Sequence, residues 1–169
     1  MDTNPFIQVM TPVLALGFFI HIMYAIYLTW NNRKARGTQT YAVSNKTKAS
    51  SWAARNMFVL GLVVAGCLTL HLTHFWAKMQ LAHYLIGESA ADPYGLVVAL
   101  FHKSFYNIIY ILWFCALWFH LTHGFWSAFQ TLGLNNNKWL RRWKTLSYFY
   151  ATLVAIAFLA VPIYIMVKG

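Results

Sequence analysis

Four uninterrupted apolar runs constrain this chain more than any other feature. They cover roughly 6–30, 52–77, 104–130 and 147–167. A helix rises ~1.5 Å per residue, so about 20 residues cross the hydrocarbon core of a bilayer. Each run is long enough to do so, and far too apolar to lie at an interface. The composition agrees, because 60% of the 169 residues are hydrophobic and only 9% are charged. A soluble domain of this size could not cover itself with so few polar groups. The first run lacks a basic flank before it and a small-residue cleavage site after it, so it reads as a permanent span, not a cleaved signal. The expected fold is an all-α membrane protein, one domain over 1–169 built as a four-span helical bundle.

Charge sets the expected orientation. Arg33, Lys34, Arg36, Lys46, Lys48 and Arg55 lie in or beside the first connection, and Lys138, Arg141, Arg142 and Lys144 in the third. The positive-inside rule makes both connections cytoplasmic and both termini external. The three acids, Asp2, Glu88 and Asp92, then fall on the outer side. Basic bands flanking membrane spans account for the net charge of +10, so no nucleic-acid partner is implied. Cys67 and Cys115 sit mid-span and read as small core residues. The polar stretch 31–51 is expected as a cytoplasmic loop, and 80–102, with Gly87, Pro93 and Gly95, as an outer loop holding a short helix. Trp30, Trp52, Trp76, Trp139 and Trp143 fall near the interfaces, where amphipathic rings anchor spans.

One phrase occurs twice: "LHLTHFW" at Leu70–Trp76 and "FHLTHGFW" at Phe119–Trp126. Each copy carries two histidines three apart. Counted from the cytoplasmic ends, His21 lies ~14 Å deep, His120 ~15 Å, His123 ~10 Å, His71 ~28 Å and His74 ~33 Å. Metal–imidazole bonds are about 2 Å, so one ion cannot be held by both copies. His21 and His120, on different spans, share a depth instead. Small residues lie a turn either side of each, Gly17 and Ala25 around His21, Ala116 and Gly124 around His120, which clears space for a flat macrocycle. Bis-histidine ligation of a b-type haem needs two such imidazoles. The alternative is that these histidines hydrogen-bond across closely packed helices. His71 has no depth-matched partner, so it is either a packing residue or half of a second haem site. His74 and His123 are about 60° around the helix from the proposed ligands and are expected to line a cavity or bond a neighbour.

The stretches "FHLTHGFWSAFQTLGL" (Phe119–Leu134), "NRKARG" (Asn32–Gly37) and "YAVSN" (Tyr41–Asn45) resemble the cytochrome b membrane anchor of succinate:quinone oxidoreductases and fumarate reductases. The resemblance is to the single-polypeptide, two-haem form that works with menaquinone. It implies a bundle whose family fold has five spans, with a proximal haem near the cytoplasmic iron–sulfur subunit and a distal haem near the outer face. His21 and His120 match the proximal axial ligands and His71 one distal ligand. The distal partner belongs to a first helix that this sequence is expected to lack, as in an N-terminally truncated gene, with a four-helix, one-haem variant as the other option. Where some members carry a glutamate two positions before the span-three ligand, this chain has Trp118. Trp52, Arg55 and Ser127 stand at the depth expected for haem-propionate partners, although Trp52 and Arg55 could equally anchor the interface. A quinone site is expected around His71, His74 and Trp76. The implied role is electron transfer, without succinate chemistry of its own, between an iron–sulfur subunit joined to a flavoprotein and membrane quinone, in the bacterial cytoplasmic membrane. The rival expectations are a cofactor-free small transporter or structural anchor, and a haem b anchor of another membrane oxidoreductase.

Overall fold

The computed structural model describes residues 5–37, 51–82, 85, 87, 91–134 and 136–168. The motif Tyr41–Asn45, most of the first connection, His83 and Glu88 lie outside them. Among the described residues every regular element is helical, and four helices are long and apolar enough to cross a membrane: Pro5–Ala35, Met57–Leu81, Ser104–Thr131 and Asn137–Lys168. This is a multi-pass, all-α membrane protein. The chain divides into two compact units, Met1–Ala49 and Ser50–Gly169.

The first unit contributes one helix, α1 (Pro5–Arg36). It runs six residues past the expected end of the first span, through the basic stretch, and stops at Gly37. That residue takes a φ of 63° and donates its N–H to the Lys34 carbonyl at 3.3 Å. Only glycine adopts this left-handed conformation without strain, which is why the helix ends there. Thr11 and Thr29 bond their hydroxyls to the carbonyls of Ile7 and Ala25, each at 2.8 Å. Those bonds satisfy two hydroxyls within the mostly apolar part of the helix.

The second unit holds the other three spans. Its second span is not the single helix expected over 52–77. A short α2 (Trp52–Arg55), capped by Ser51 through the Ala54 N–H at 3.1 Å, breaks at Asn56. Both the backbone N–H and the side-chain amide of Asn56 bond the Trp52 carbonyl, at 3.1 and 2.9 Å. An amide that satisfies backbone groups locally competes with helix continuation. Then α3 (Met57–His71) passes without interruption into a π-helical segment, Leu72–Leu81. The expected outer helix is present as α4 (Pro93–Phe101). Asp92 caps it by accepting from the N–H groups of Tyr94 (3.2 Å) and Gly95 (2.8 Å), and Pro93 occupies the first turn, where its missing N–H costs nothing.

The third span, α5 (Ser104–Thr131), and the fourth, α6 (Asn137–Lys168), match the expected cores. However, α6 begins ten residues before the apolar run, at an Asn136 cap that accepts the Trp139 N–H at 2.9 Å. Between them, Gly133 at φ 80° closes α5: the Leu134 N–H reaches the Phe129 carbonyl (2.9 Å) and the Gly133 N–H that of Gln130 (3.1 Å). This is a Schellman end, and it turns the chain directly back into α6.

Among the described residues of this unit α5 carries more buried side chains than any other helix: Asn107, Tyr110, Trp113, Phe114 and Thr122. The third span is therefore the hub, packed between α3 on one side and α6 on the other. On α6 the residues against it are Ser147 and Ala151, both 0% exposed. Small side chains a turn apart let two helix backbones approach closely, which is how helices associate where lipid removes the hydrophobic drive. The Ser147 hydroxyl donates to the carbonyls of Leu121 and Thr122. Trp118, in the glutamate position of the resembling family, points its indole N–H at Thr152 Oγ1 (3.0 Å). Near the far end, Asn107 donates to the carbonyls of Phe101 (3.1 Å) and Pro162 (3.2 Å), so one amide ties α4, α5 and the proline of α6 together.

Candidate functional site

Contacts between α3, its π extension and α5 fix an antiparallel register. A Cβ at Gly124 would lie 3.3 Å from Met57 Cε, and one at Gly61 would lie 3.6 Å from His120 Cε1. Farther along, His71 faces Tyr110 with ring centroids 6.5 Å apart, and His74 faces Tyr106 at 4.9 Å. Each step along one helix is matched by a step back along the other. Tyr110, opposite His71, and His120 are ten residues apart on α5, so the two copies of the repeated phrase are separated by ~15 Å along the bundle. They form two distinct clusters.

The first cluster surrounds His71 and His74. The His71 ring is half-buried against Phe75 (5.1 Å), Trp113 (5.8 Å) and Tyr110. His74 Nδ1 is 3.1 Å from the Tyr110 hydroxyl, in a hydrogen bond whose direction depends on the imidazole tautomer. Tyr110 is only 2% exposed and also packs edge-on against Phe101 at 5.1 Å. Trp113 Nε1 is buried and has no hydrogen-bond partner among the described residues. Trp76, on the π segment, is 36% exposed and turned toward the bundle surface. Of the residues singled out in the sequence the structure brings His71 and His74 together, and Tyr110, Tyr106 and Trp113 stand beside them. The spacing of the aromatic residues along α5 was the available signal for them, and it is hard to separate from ordinary core packing.

The second cluster surrounds His120 and His123. Gly61 allows the His120 imidazole to rest on the backbone of α3, a neighbour not signalled by small residues on His120's own helix. Gly124, expected to leave open space, instead receives the flexible Met57 side chain of α3. His123 stands edge-on to Trp126 at 4.9 Å and 83°, and Lys144 Nζ lies 4.7 Å from the centre of the same indole. His123 Nδ1 is buried with no hydrogen-bond partner among the described residues. Trp52 packs edge-on against Phe119 at 5.3 Å, one residue from His120. Arg55, at the end of α2, is exposed, and Ser127 is half-buried two turns beyond His120 on α5. These three residues lie toward one end of the second unit, the end that also carries Lys138, Arg141, Arg142 and Lys144.

His21 lies mid-way along α1. Within that unit nothing approaches Gly17, one turn away, within 4 Å.

No family model, curated protein or solved structure matches this chain. The fold and the two clusters define a polytopic helical membrane protein with aromatic-walled histidines at two depths.

Proposed function

We propose that this chain is a haem b-carrying membrane anchor of the succinate:quinone oxidoreductase type, residing in the bacterial cytoplasmic membrane. One observation carries the reading. The phrase Phe119–Leu134 places an imidazole against a glycine of the neighbouring span and ends in a glycine–leucine helix stop, at the basic end of the bundle. In favour of haem, Gly61 lets the His120 imidazole sit against α3, which would fix its orientation; the flexible Met57 side chain at Gly124 would have to move aside for a macrocycle. When bound, haem b would supply a one-electron carrier between a donor and an acceptor.

His120 and, from the first unit, His21 would each hold the haem iron through one neutral imidazole nitrogen. Their matched depth in the sequence supports the pairing. Arg55, Trp52 and Ser127 offer a cation and polar N–H and O–H groups for propionates near the basic end. The basic cytoplasmic loops are the proposed docking face for the iron–sulfur subunit, which receives electrons from the flavoprotein subunit. Menaquinone is the proposed substrate at the opposite end, where the hydrogen bond between His74 and Tyr110 stands beside His71 and Trp76. His71 is the proposed ligand of a distal haem in the family arrangement. No acid occurs within a span and Trp118 stands at the glutamate position, so the glutamate-based proton pathway of some members is not supported.

A pyridine haemochrome assay with protein quantification on the detergent-purified 169-residue chain tests the proposal. About one haem b per chain is the expected result for the His21–His120 pair. Absence of Soret absorption both here and in a version carrying an added N-terminal helix would favour the cofactor-free transporter or structural anchor. The aromatic packing around His71 already suits that rival for the first cluster.

A further inference from the structure

We propose that the first turns of α6 form a headgroup site for an anionic phospholipid. The site has two adjoining parts. One is an open surface recess of about 340 Å³ lined by Asn137, Lys138, Arg141 and Arg142. The other, about 370 Å³, is lined by Gly133, Leu134, Asn136, Trp139 and Trp143. The first is cationic and the second largely apolar, which is the division a phospholipid makes between its phosphate and its glycerol and acyl groups.

The cations are not explained by the helix that carries them. Lys138, Arg141, Arg142 and Lys144 crowd the beginning of α6, and no acidic residue stands in its first turn. The positive end of a helix dipole repels them. Nor does the sequence supply a neutralising anion nearby, since α5, α6 and their connection contain no Asp or Glu. The charge of these cations is left to solvent ions or an anionic ligand.

The apolar wall is rigidly built. Trp143 stacks flat on Phe129 of α5, with centroids 3.9 Å apart and planes 2° apart, and its indole N–H donates to the Leu134 carbonyl at 2.9 Å. Trp139 stacks on Trp143 at 5.6 Å, and the Arg142 guanidinium lies 5.1 Å from the centre of the Trp139 ring. A cation over an indole keeps its charge while its position is fixed. This ladder therefore sets a guanidinium at the border between the two recesses. The adjacent apolar core of α6 puts that border at membrane headgroup depth, where tryptophans and basic residues meet anionic lipid. The proposal is independent of haem.

The test titrates the detergent-solubilised chain with phosphatidylglycerol carrying dibrominated acyl chains, which quench nearby indoles, and in parallel with dibrominated phosphatidylcholine. Phosphatidylglycerol is expected to quench at about tenfold lower concentration. The preference should vanish in Arg141→Gln/Arg142→Gln, persist in Arg141→Lys/Arg142→Lys, and resist equal concentrations of inorganic phosphate. Equal potency of the two lipids on the unmodified chain overturns the proposal without reliance on any variant. An intact preference in the glutamine variant also overturns it, and so does displacement by inorganic phosphate, which would assign a free-anion site. Loss of a co-purifying soluble protein from the glutamine variant, with lipid preference intact, would assign the patch to protein docking instead.

Discussion

The two copies of the histidine phrase share a local detail and differ in nearly everything around it. In both, the threonine bonds the carbonyl three residues back, just before the first histidine: Thr73 to Leu70 at 2.9 Å and Thr122 to Phe119 at 3.0 Å. Yet Thr73 is exposed on a π-helical segment, whereas Thr122 is 4% exposed in an α-helix, and its own carbonyl accepts the Ser147 hydroxyl. After the second histidine one copy has Phe75, which packs on His71, and the other has Gly124, which admits Met57. Identical residues thus acquire different surroundings from one inserted glycine and from which helix lies opposite. The first copy is closed by aromatic rings; the second is built around two glycines.

The largest expected break in this comparison comes from removing one histidine at a time. His120→Ala should abolish haem binding in the purified chain, and His71→Ala should leave about one haem per chain, read by pyridine haemochrome; retention of a six-coordinate low-spin spectrum in His120→Ala would refute the axial assignment. Next, Asn107→Ala, at the end where the first copy lies, deletes two hydrogen bonds from a side chain only 1% exposed. It should cost about 2 kcal/mol in a reversible denaturant titration in micelles. Tyr110→Phe, which removes the bond to His74 without changing ring packing, should cost about 0.6 kcal/mol by the same titration, the average for hydrogen bonds between membrane helices. The smallest difference sharpens the comparison best. Thr122→Val should destabilise by about 0.5 kcal/mol, whereas Thr73→Val should be close to neutral, since its hydroxyl bonds only its own helix at an exposed position.

Much of the organisation was legible before any coordinates. Apolar length marked the four spans. Depth counting separated the two copies by at least ~13 Å, close to the ~15 Å given by the register of α3 against α5. Gly87, Pro93 and Gly95 marked the outer loop in which a short helix was expected. Less legible was the break at Asn56, where one side-chain amide competes with the backbone. The long start of α6 was hidden too, because its Trp, Arg and Lys residues look like loop by hydropathy while being compatible with a helix. Gly61 drew no notice, since a glycine inside an apolar run has meaning only when the residue opposite it is known.

Sequence by itself determined that this chain must be helical and membrane-spanning. The cost of exposing backbone amides to hydrocarbon leaves an apolar run of that length no other regular form. It also determined which end of each span is basic. Tertiary structure alone decided what each histidine touches. That depends on the register of antiparallel helices and on single small residues across the interface, and helical periodicity says which residues share a face of one helix but not what the neighbouring helix brings to meet them.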